Sequence, residues 1–559
     1  MKIFLAQQNY HIGHFGHNVN RIIQAINTAK EKMADLVVFS ELSVCGYPPR
    51  DFLYFDDFIE KCQEAIEQIR QVSSGIAVLV GAPVINTCPN GKRLHNAACF
   101  IEDGVIKQWI HKTCLPTYDI FDENRYFEPA TTWEVIAFRG KKIAVTICED
   151  IWNLGDHPLY KDCPMDKLMP LQPDLMINLS ASPFDYTHSA ERLQVICANA
   201  VKYQLPVLYC NAVGSQTELV FDGQSAVVNK AGVLEGMMPA FAEDMLGVEM
   251  GDGGAILSVT HRAKKEILTA HRFDFFDAEV SIDSIHQALI CGIRDYFGKM
   301  GFQQAILGSS GGIDSAVVLA LAVEALGAEN VTAVLMPSRY SSDHSVKDAV
   351  ALSEALKNPY HIIPIEEVNT AILQTLEPYF ADTSPGLAEE NIQSRIRGNL
   401  LMGMANKFGF ILLNTSNKSE LATGYGTLYG DMAGGIGVLG DCYKMQVYAL
   451  ARYINRNETI IPLSILQKAP SAELRPDQKD SDSLPEYDLL DRILFLYIER
   501  ELGPQEIKNL GFDPALVDRI LKMVNNNEYK RNQFCPIIRV SPKAFGQGRR
   551  MPIVARYLG

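Results

Sequence analysis

No stretch of about eighteen consecutive apolar residues occurs anywhere in the chain, so no segment reads as a membrane-spanning helix. The opening residues Met1 to Gln8 hold too short an apolar run for a secretory signal and read as a β-strand. Basic runs are missing as well. The 51 Lys and Arg against 66 Asp and Glu leave a net charge of −15, which argues against a nucleic-acid or anionic-membrane partner. The twelve cysteines are scattered, with no Cys-x-x-Cys pair. That speaks against a disulfide framework and for free thiols in a reducing, cytoplasmic setting. No internal repeat or low-complexity tract is present. His11, His14 and His17 crowd one segment, but no Cys or carboxylate stands at a ligand spacing beside them and two glycines break the run. It reads as a flexible loop and not a metal site.

What is present is a 559-residue chain, 47% apolar and 21% charged, too long for one hydrophobic core. Residues 1–255 alternate short apolar strands (3–6, 36–40, 76–80, 143–147, 175–179, 207–210) with amphipathic helices at 18–33, 57–71 and 189–203. Strands at 97–102, 133–138 and 224–229 without helices between them point to a mixed sheet or two packed sheets. A weakly patterned connection occupies 256–282. Residues 283–559 return to an α/β pattern, with strands at 305–307, 331–336, 361–365 and 410–413, which fits a doubly wound parallel sheet. Pro470 to Pro485, rich in Asp, Ser and Pro, reads as a mobile loop.

The most informative window is Gly308-Ser309-Ser310-Gly311-Gly312-Ile313-Asp314-Ser315, between an apolar strand and a helix-like stretch from Ala316 to Leu326. A tight Gly-rich loop entering a helix N-terminus cradles an anion with free backbone N–H groups and the helix dipole. The serines add hydroxyl donors, and Asp314 adds a carboxylate able to hold Mg²⁺ against phosphate oxygens. The P-loop pattern, with Gly-Lys-Ser/Thr at its end, is absent. In the first half three polar residues close apolar strands: Glu41, Lys112 and Cys148. A thiol needs a base to become the attacking thiolate, which Glu41 can supply, and Lys112 can stabilise an oxyanion.

The Ser-Gly-Gly-x-Asp-Ser loop resembles that of the ATP pyrophosphatases, which split ATP between the α and β phosphates and activate an oxygen as an adenylate. The windows around Glu41, Lys112 and Cys148 resemble the nitrilase, or carbon–nitrogen hydrolase, superfamily. That resemblance implies an αββα sandwich and a Glu-Lys-Cys amide-hydrolysing triad, with Glu123 as a supporting second glutamate. It further implies glutamine as the amide, held by Tyr118, Ser182 and His188. A Lys or Arg is common near position 188, where this chain has a histidine and, one turn later, Arg192. Windows at 336–342, 391–398, 414–420, 424–431, 440–444, 470–474, 484–487, 529–531 and 543–546 resemble NAD synthetases, whose fold is a doubly wound parallel sheet of the adenine nucleotide α-hydrolase type. The whole chain is thus similar to the glutamine-dependent branch of that family. The resemblance implies an ATP site formed by residues 308 to 315 with Met336, Arg395 and Thr415. It places nicotinic acid adenine dinucleotide near Arg397, Asn399, Glu420, Asp431, Lys444, Lys530 and Lys543, and Mg²⁺ between Asp314 and Glu420. Lys418 is a weaker candidate for the role of Lys444. No prosthetic group is expected. A homodimer or higher homo-oligomer through the synthetase domain is implied, as is ammonia passing between the two sites through a tunnel that Tyr118 gates.

Overall fold

A computed structural model describes residues 1–155, 158–261, 272–275, 278–471, 473–476 and 478–557. The chain divides into two compact units: Met1–Phe184 with His188–Leu268, and Asp185–Thr187 with Thr269–Gly559.

In the first unit a seven-stranded sheet runs in the order Ile256–Val259, Asp244–Met250, Lys2–Gln7, Leu36–Val38, Ala77–Ile85, Leu94–Glu102, Val105–His111. A six-stranded sheet runs Leu234–Met237, Ala226–Val228, Val207–Asn211, Leu175–Ser180, Lys141–Ile147, Ile136–Phe138. Strand alternation assigns the faces. Ile3 and Leu5 join Ile143, Val145, Ile177 and Leu208 in a core shared by both sheets, whereas Phe4 and Ala6 turn to the helices on the other side. Those helices are Phe15–Glu31 and Asp56–Val72; the former buries Val19, Ile22, Ala25, Ile26 and Ala29, one stripe at helical spacing. Helix His188–Tyr203 covers the far face of the second sheet. The result is an αββα sandwich. The outermost strand, Ile256–Val259, carries the first sheet past residue 255. Of the expected connection, residues 262–271 and 276–277 lie outside the described residues, and Arg272–Phe275 pairs with Ala278–Ser281 as a hairpin.

The second unit is built on a five-stranded parallel sheet ordered Tyr360–Ile362, Val331–Leu335, Ala305–Gly308, Ile411–Asn414, Ile436–Gly437. The strand order reverses at Ala305–Gly308, so a crevice opens beyond the carboxyl ends of this strand and Ile411–Asn414. Helix Ile313–Leu326 packs on one face of the sheet and Leu387–Phe408 on the other.

Several local expectations need correction. His14 caps a helix that already begins at Phe15, with its Nδ1 accepting the His17 N–H, so the histidine segment is half helical and not a loop. The helix after the Gly-rich loop starts at Ile313, three residues earlier than the apolar pattern alone indicated, because Gly312 is its extended N-cap. The strand expected at 361–365 spans only Tyr360–Ile362. Residues 470–485 hold only the turn Asp480–Asp482 as regular structure, yet Glu473 and Asp480 are tied down by hydrogen bonds; residues 472 and 477 of this loop lie outside the described residues. Among the described residues no helix is long and apolar enough to cross a membrane.

Candidate active sites

At one rim of the sandwich the strands deliver four buried polar side chains to one place. Lys112, fully buried, donates from Nζ to Glu41 Oε1 at 2.7 Å and to Glu123 Oε1 at 2.8 Å. Glu41 Oε2 accepts the Ala181 N–H, and the Tyr47 hydroxyl donates to Glu123 Oε1 at 2.9 Å. Cys148 follows strand Lys141–Ile147 at a left-handed φ of 43°, which turns the chain sharply into Cys148–Ile151. The charged groups acting on its thiol are Glu41, Lys112, Glu123 and Glu149. Burial, reinforced by Glu41, holds that thiol well above its usual value, so the resting sulfur is protonated and attack needs a base. Burial also pushes Glu123 up to about 7, against the lowering pull of Lys112. With Glu123 titrating near 7, the two carboxylates that share one ammonium carry up to one excess negative charge, reached as pH rises past that value.

Two supports fix this geometry. Asp150 accepts the N–H groups of Thr113 and Cys114 through Oδ1 and of Ile147 through Oδ2, so it ties the turn after Lys112 to the strand end before Cys148. Gly81 lies so close to the chain at Glu41 that an added Cβ would stand 2.4 Å from Leu42 N and 2.5 Å from Ser40 O. Beside the thiol, Glu149 accepts the hydroxyls of Tyr118 at 2.9 Å and Tyr160 at 3.1 Å. Ser182 Oγ lies 2.9 Å from His188 Nε2, and the His188 ring stacks on Trp152. Arg192 is instead paired with Asp222 at 2.7 Å.

In the second unit the crevice at the strand-order reversal is a cavity of about 290 Å³. Its floor is the Gly-rich loop, knotted by its own hydroxyls: Ser315 Oγ accepts the Ser310 N–H and donates to Gly312 O, and Ser310 Oγ accepts the Gly312 N–H. Gly311, at φ +76°, presses on the start of helix Asp343–Leu356, where a Cβ would meet Ser345 O at 2.2 Å. Asp314 accepts from Lys444 Nζ and from Asn417 Nδ2, and Lys444 also reaches Glu420 Oε1 at 3.5 Å. Burial and the neighbouring Asp314 push Glu420 up to about 8, while the same carboxylates hold Lys444 firmly protonated. Apolar walls come from Leu335, Met336, Leu401 and Leu412, and Arg397 Nε donates to Met336 O at 3.0 Å.

The carbon-nitrogen hydrolase family matches residues 2–251 and the NAD synthase family matches residues 285–534. A glutamine-dependent NAD(+) synthetase of Synechocystis is 46% identical over 99% of both chains. One from Acinetobacter baylyi is 40% identical over 99% of this chain and 98% of its own. The chain belongs to the glutamine-dependent NAD(+) synthetase family. The structure of such a synthetase from Acinetobacter baumannii, solved with ADP, superposes with a TM-score of 0.76 at 38% identity, covering 99% of this chain and 98% of the other.

For a glutamine-dependent NAD(+) synthetase, most of the expected site residues converge. Gly308, Ser309, Ser310, Gly312, Ile313, Asp314, Ser315, Met336, Arg397, Thr415, Glu420, Asp431 and Lys444 line the cavity, and Gly311 shapes its floor. Others lie apart from it. Arg395 and Asn399 sit on exposed turns of helix Leu387–Phe408, Lys530 donates to Gly424 O and Gly426 O, and Lys543 pairs with Glu501. Lys418 does not reach the cavity. It is fully buried between Asp441 and Glu499, where its charge is neutralised within the fold. Sequence reasoning missed Tyr47, Asn96, Asp150 and Tyr160. Only Asp150 carried a signal, in the Glu-Asp pair directly after the cysteine.

Proposed function

We propose that this chain converts nicotinic acid adenine dinucleotide, ATP and glutamine to NAD⁺, AMP, pyrophosphate and glutamate. The observation that carries the reading is one complete reaction site in each half: the buried Glu41–Lys112–Glu123 set at the Cys148 thiol, and the Asp314–Lys444–Glu420 cluster over the Gly-rich loop.

In the first unit Glu41 takes the Cys148 proton as the sulfur attacks the glutamine amide carbon. Lys112 holds the oxyanion, and the ammonium pair with Glu41 and Glu123 keeps it aimed there. Glu41 then returns the proton to the leaving ammonia, and it deprotonates the water that cleaves the γ-glutamyl thioester. Ser182, His188 and Tyr118 hold the amino-acid end, with Glu149 as the anionic partner for its ammonium group. In the second unit the loop from Gly308 to Ser315 cradles the phosphates, Met336 and its apolar neighbours pack the adenine, and Lys444 neutralises charge on the transferring group. Thr415 completes the ATP site from the cavity wall, and the family resemblance adds Arg395 from an exposed turn outside the cavity. Arg397, Asn399, Asp431, Lys530 and Lys543 complete the dinucleotide site in an assembly of at least two copies. Asp314 and Glu420 would hold a Mg²⁺ ion once Glu420 gives up the proton that burial and Asp314 keep on it, since two ionised carboxylates with one shared lysine are then anionic and Mg²⁺ binds few protein oxygens alongside phosphates. When bound, that ion supplies charge neutralisation for the phosphates. The nicotinate carboxylate is activated as an adenylate, which ammonia displaces. Ammonia passes between the sites without mixing with bulk solvent, and the protein works in the cytoplasm.

The test is NAD⁺ formation from the dinucleotide acid and Mg-ATP, with glutamine or ammonium as nitrogen source. Cys148→Ala is expected to lose the glutamine-driven rate and keep the ammonium-driven one. Loss of both, or of neither, overturns the two-site assignment.

A further inference from the structure

Asn96, on strand Leu94–Glu102, is 1% exposed and plays no part in the mechanism above. Its Nδ2 donates to Glu41 Oε1 at 2.7 Å and to Glu123 Oε2 at 3.2 Å. Its backbone carbonyl accepts the Lys112 N–H at 2.8 Å. Its Oδ1 has no hydrogen-bond partner among the described residues. A buried carbonyl left unpaired costs stability that an apolar side chain would not. One amide thus bridges both glutamates while its own oxygen goes unused, an arrangement that packing does not require.

We propose that Asn96 is a positioning residue of the glutaminase site: by donating to both glutamates at once, it keeps Glu41 aimed at the Cys148 thiol. The inference rests on the assignment of Glu41, Lys112 and Cys148 made above. The titratable groups facing the pair are Lys112, Tyr47 and Cys148, with Glu149 in the charge environment of the thiol. Among the described residues Lys112 is the one cation paired with them, and both glutamates already share it through their Oε1 atoms. Asn96 is the only donor to Glu123 Oε2 among the described residues. Without its two N–H bonds, the carboxylate pair loses two donors that favour its charged form, and Glu41 is held by Lys112 and the Ala181 N–H alone.

The test uses the full chain with Asn96→Asp and Asn96→Ala, the parent and Cys148→Ala alongside. Glutamine-driven and ammonium-driven NAD⁺ formation are followed between about pH 6 and 9. Asn96→Asp keeps the shape, deletes the donors and adds charge, so it is expected to be the worse of the two. Both variants are expected to keep the ammonium-driven rate. Both should move the acid limb of glutamine kcat/KM upward by about one pH unit or more, through kcat and not KM. A packing role predicts the reverse: Asn96→Asp near the parent, Asn96→Ala impaired, and a stationary limb. That result overturns the proposal. Retention of the glutamine-driven rate by Cys148→Ala would instead sink the site assignment beneath it. Should either Asn96 variant lose the ammonium-driven rate, Asn96→Ser, which keeps one donor, decides on the same pH readout.

Discussion

Cys148 adopts the left-handed conformation that an L-residue enters at a cost of about 1–2 kcal/mol, and it does so at the residue proposed above as the nucleophile. The same φ turns the chain from strand Lys141–Ile147 into the turn Cys148–Ile151. Cys148→Gly is therefore expected to be more stable than Cys148→Ala by about 1 kcal/mol, although both lack the nucleophile, as calorimetry on the two variants would read out. Glu123 carries the clearest pH signature. Its folded value of about 7 lies above the ordinary 4.5, so the folded chain keeps a proton that the unfolded chain has given up. The resulting stabilisation is complete below pH 4.5 and is lost as pH rises through 7. Glu123→Gln should flatten the fall of melting temperature across that window; an unchanged slope would contradict the assignment.

At the scale of elements, two glycines set how closely segments approach, and each serves one site. Gly81 on strand Ala77–Ile85 backs the turn carrying Glu41, and Gly311 backs the phosphate loop against helix Asp343–Leu356. Gly81→Ala is expected to cut the glutamine-driven rate at least about tenfold, with overpacking of about 1–3 kcal/mol, and to spare the ammonium-driven rate. Gly311→Ala should lower both rates together, since positive φ and backbone crowding act on the shared ATP step. Parallel assays with the two nitrogen sources distinguish these patterns. Neither contact was legible in the sequence, where Gly81 is only a glycine inside an apolar run. The strands and the amphipathic helices were legible because hydrophobic period follows directly from residue order. So were Glu41, Lys112, Cys148 and the Gly-rich loop, each beside an apolar run where a strand had to end. Asn96 and Tyr47 were not, because they meet Glu123 across 27 and 76 positions, and Tyr160 was not, because its bond to Glu149, 11 positions away, follows no helix or strand spacing. Lys418 shows the opposite failure. It sits in a persuasive window, yet its charge is consumed by Asp441 and Glu499 inside the fold.

At the scale of the whole molecule, the proposed function puts one chemistry on each unit, with ammonia as the product of the first and the substrate of the second. If the nitrogen passes without mixing with solvent, NAD⁺ made from unlabelled glutamine in a bath of ¹⁵N-ammonium will contain less label than the two independent rates predict. Mass spectrometry of the carboxamide measures this, and label at the predicted ratio would mean that ammonia escapes first.

The first strand, Lys2–Gln7, stands in the interior of its sheet, between Leu36–Val38 and Asp244–Met250, with Lys2 opposite Glu249. A ribosome adding about 5–20 residues per second delivers that partner roughly 10–50 s after the strand itself emerges. During that interval the strand waits with one flank unpaired. The flank of the first strand therefore closes only once residue 250 has left the exit tunnel, and the sheet gains its edge strand only with residue 259; until then the open flank is a free edge of the kind that pairs with other chains.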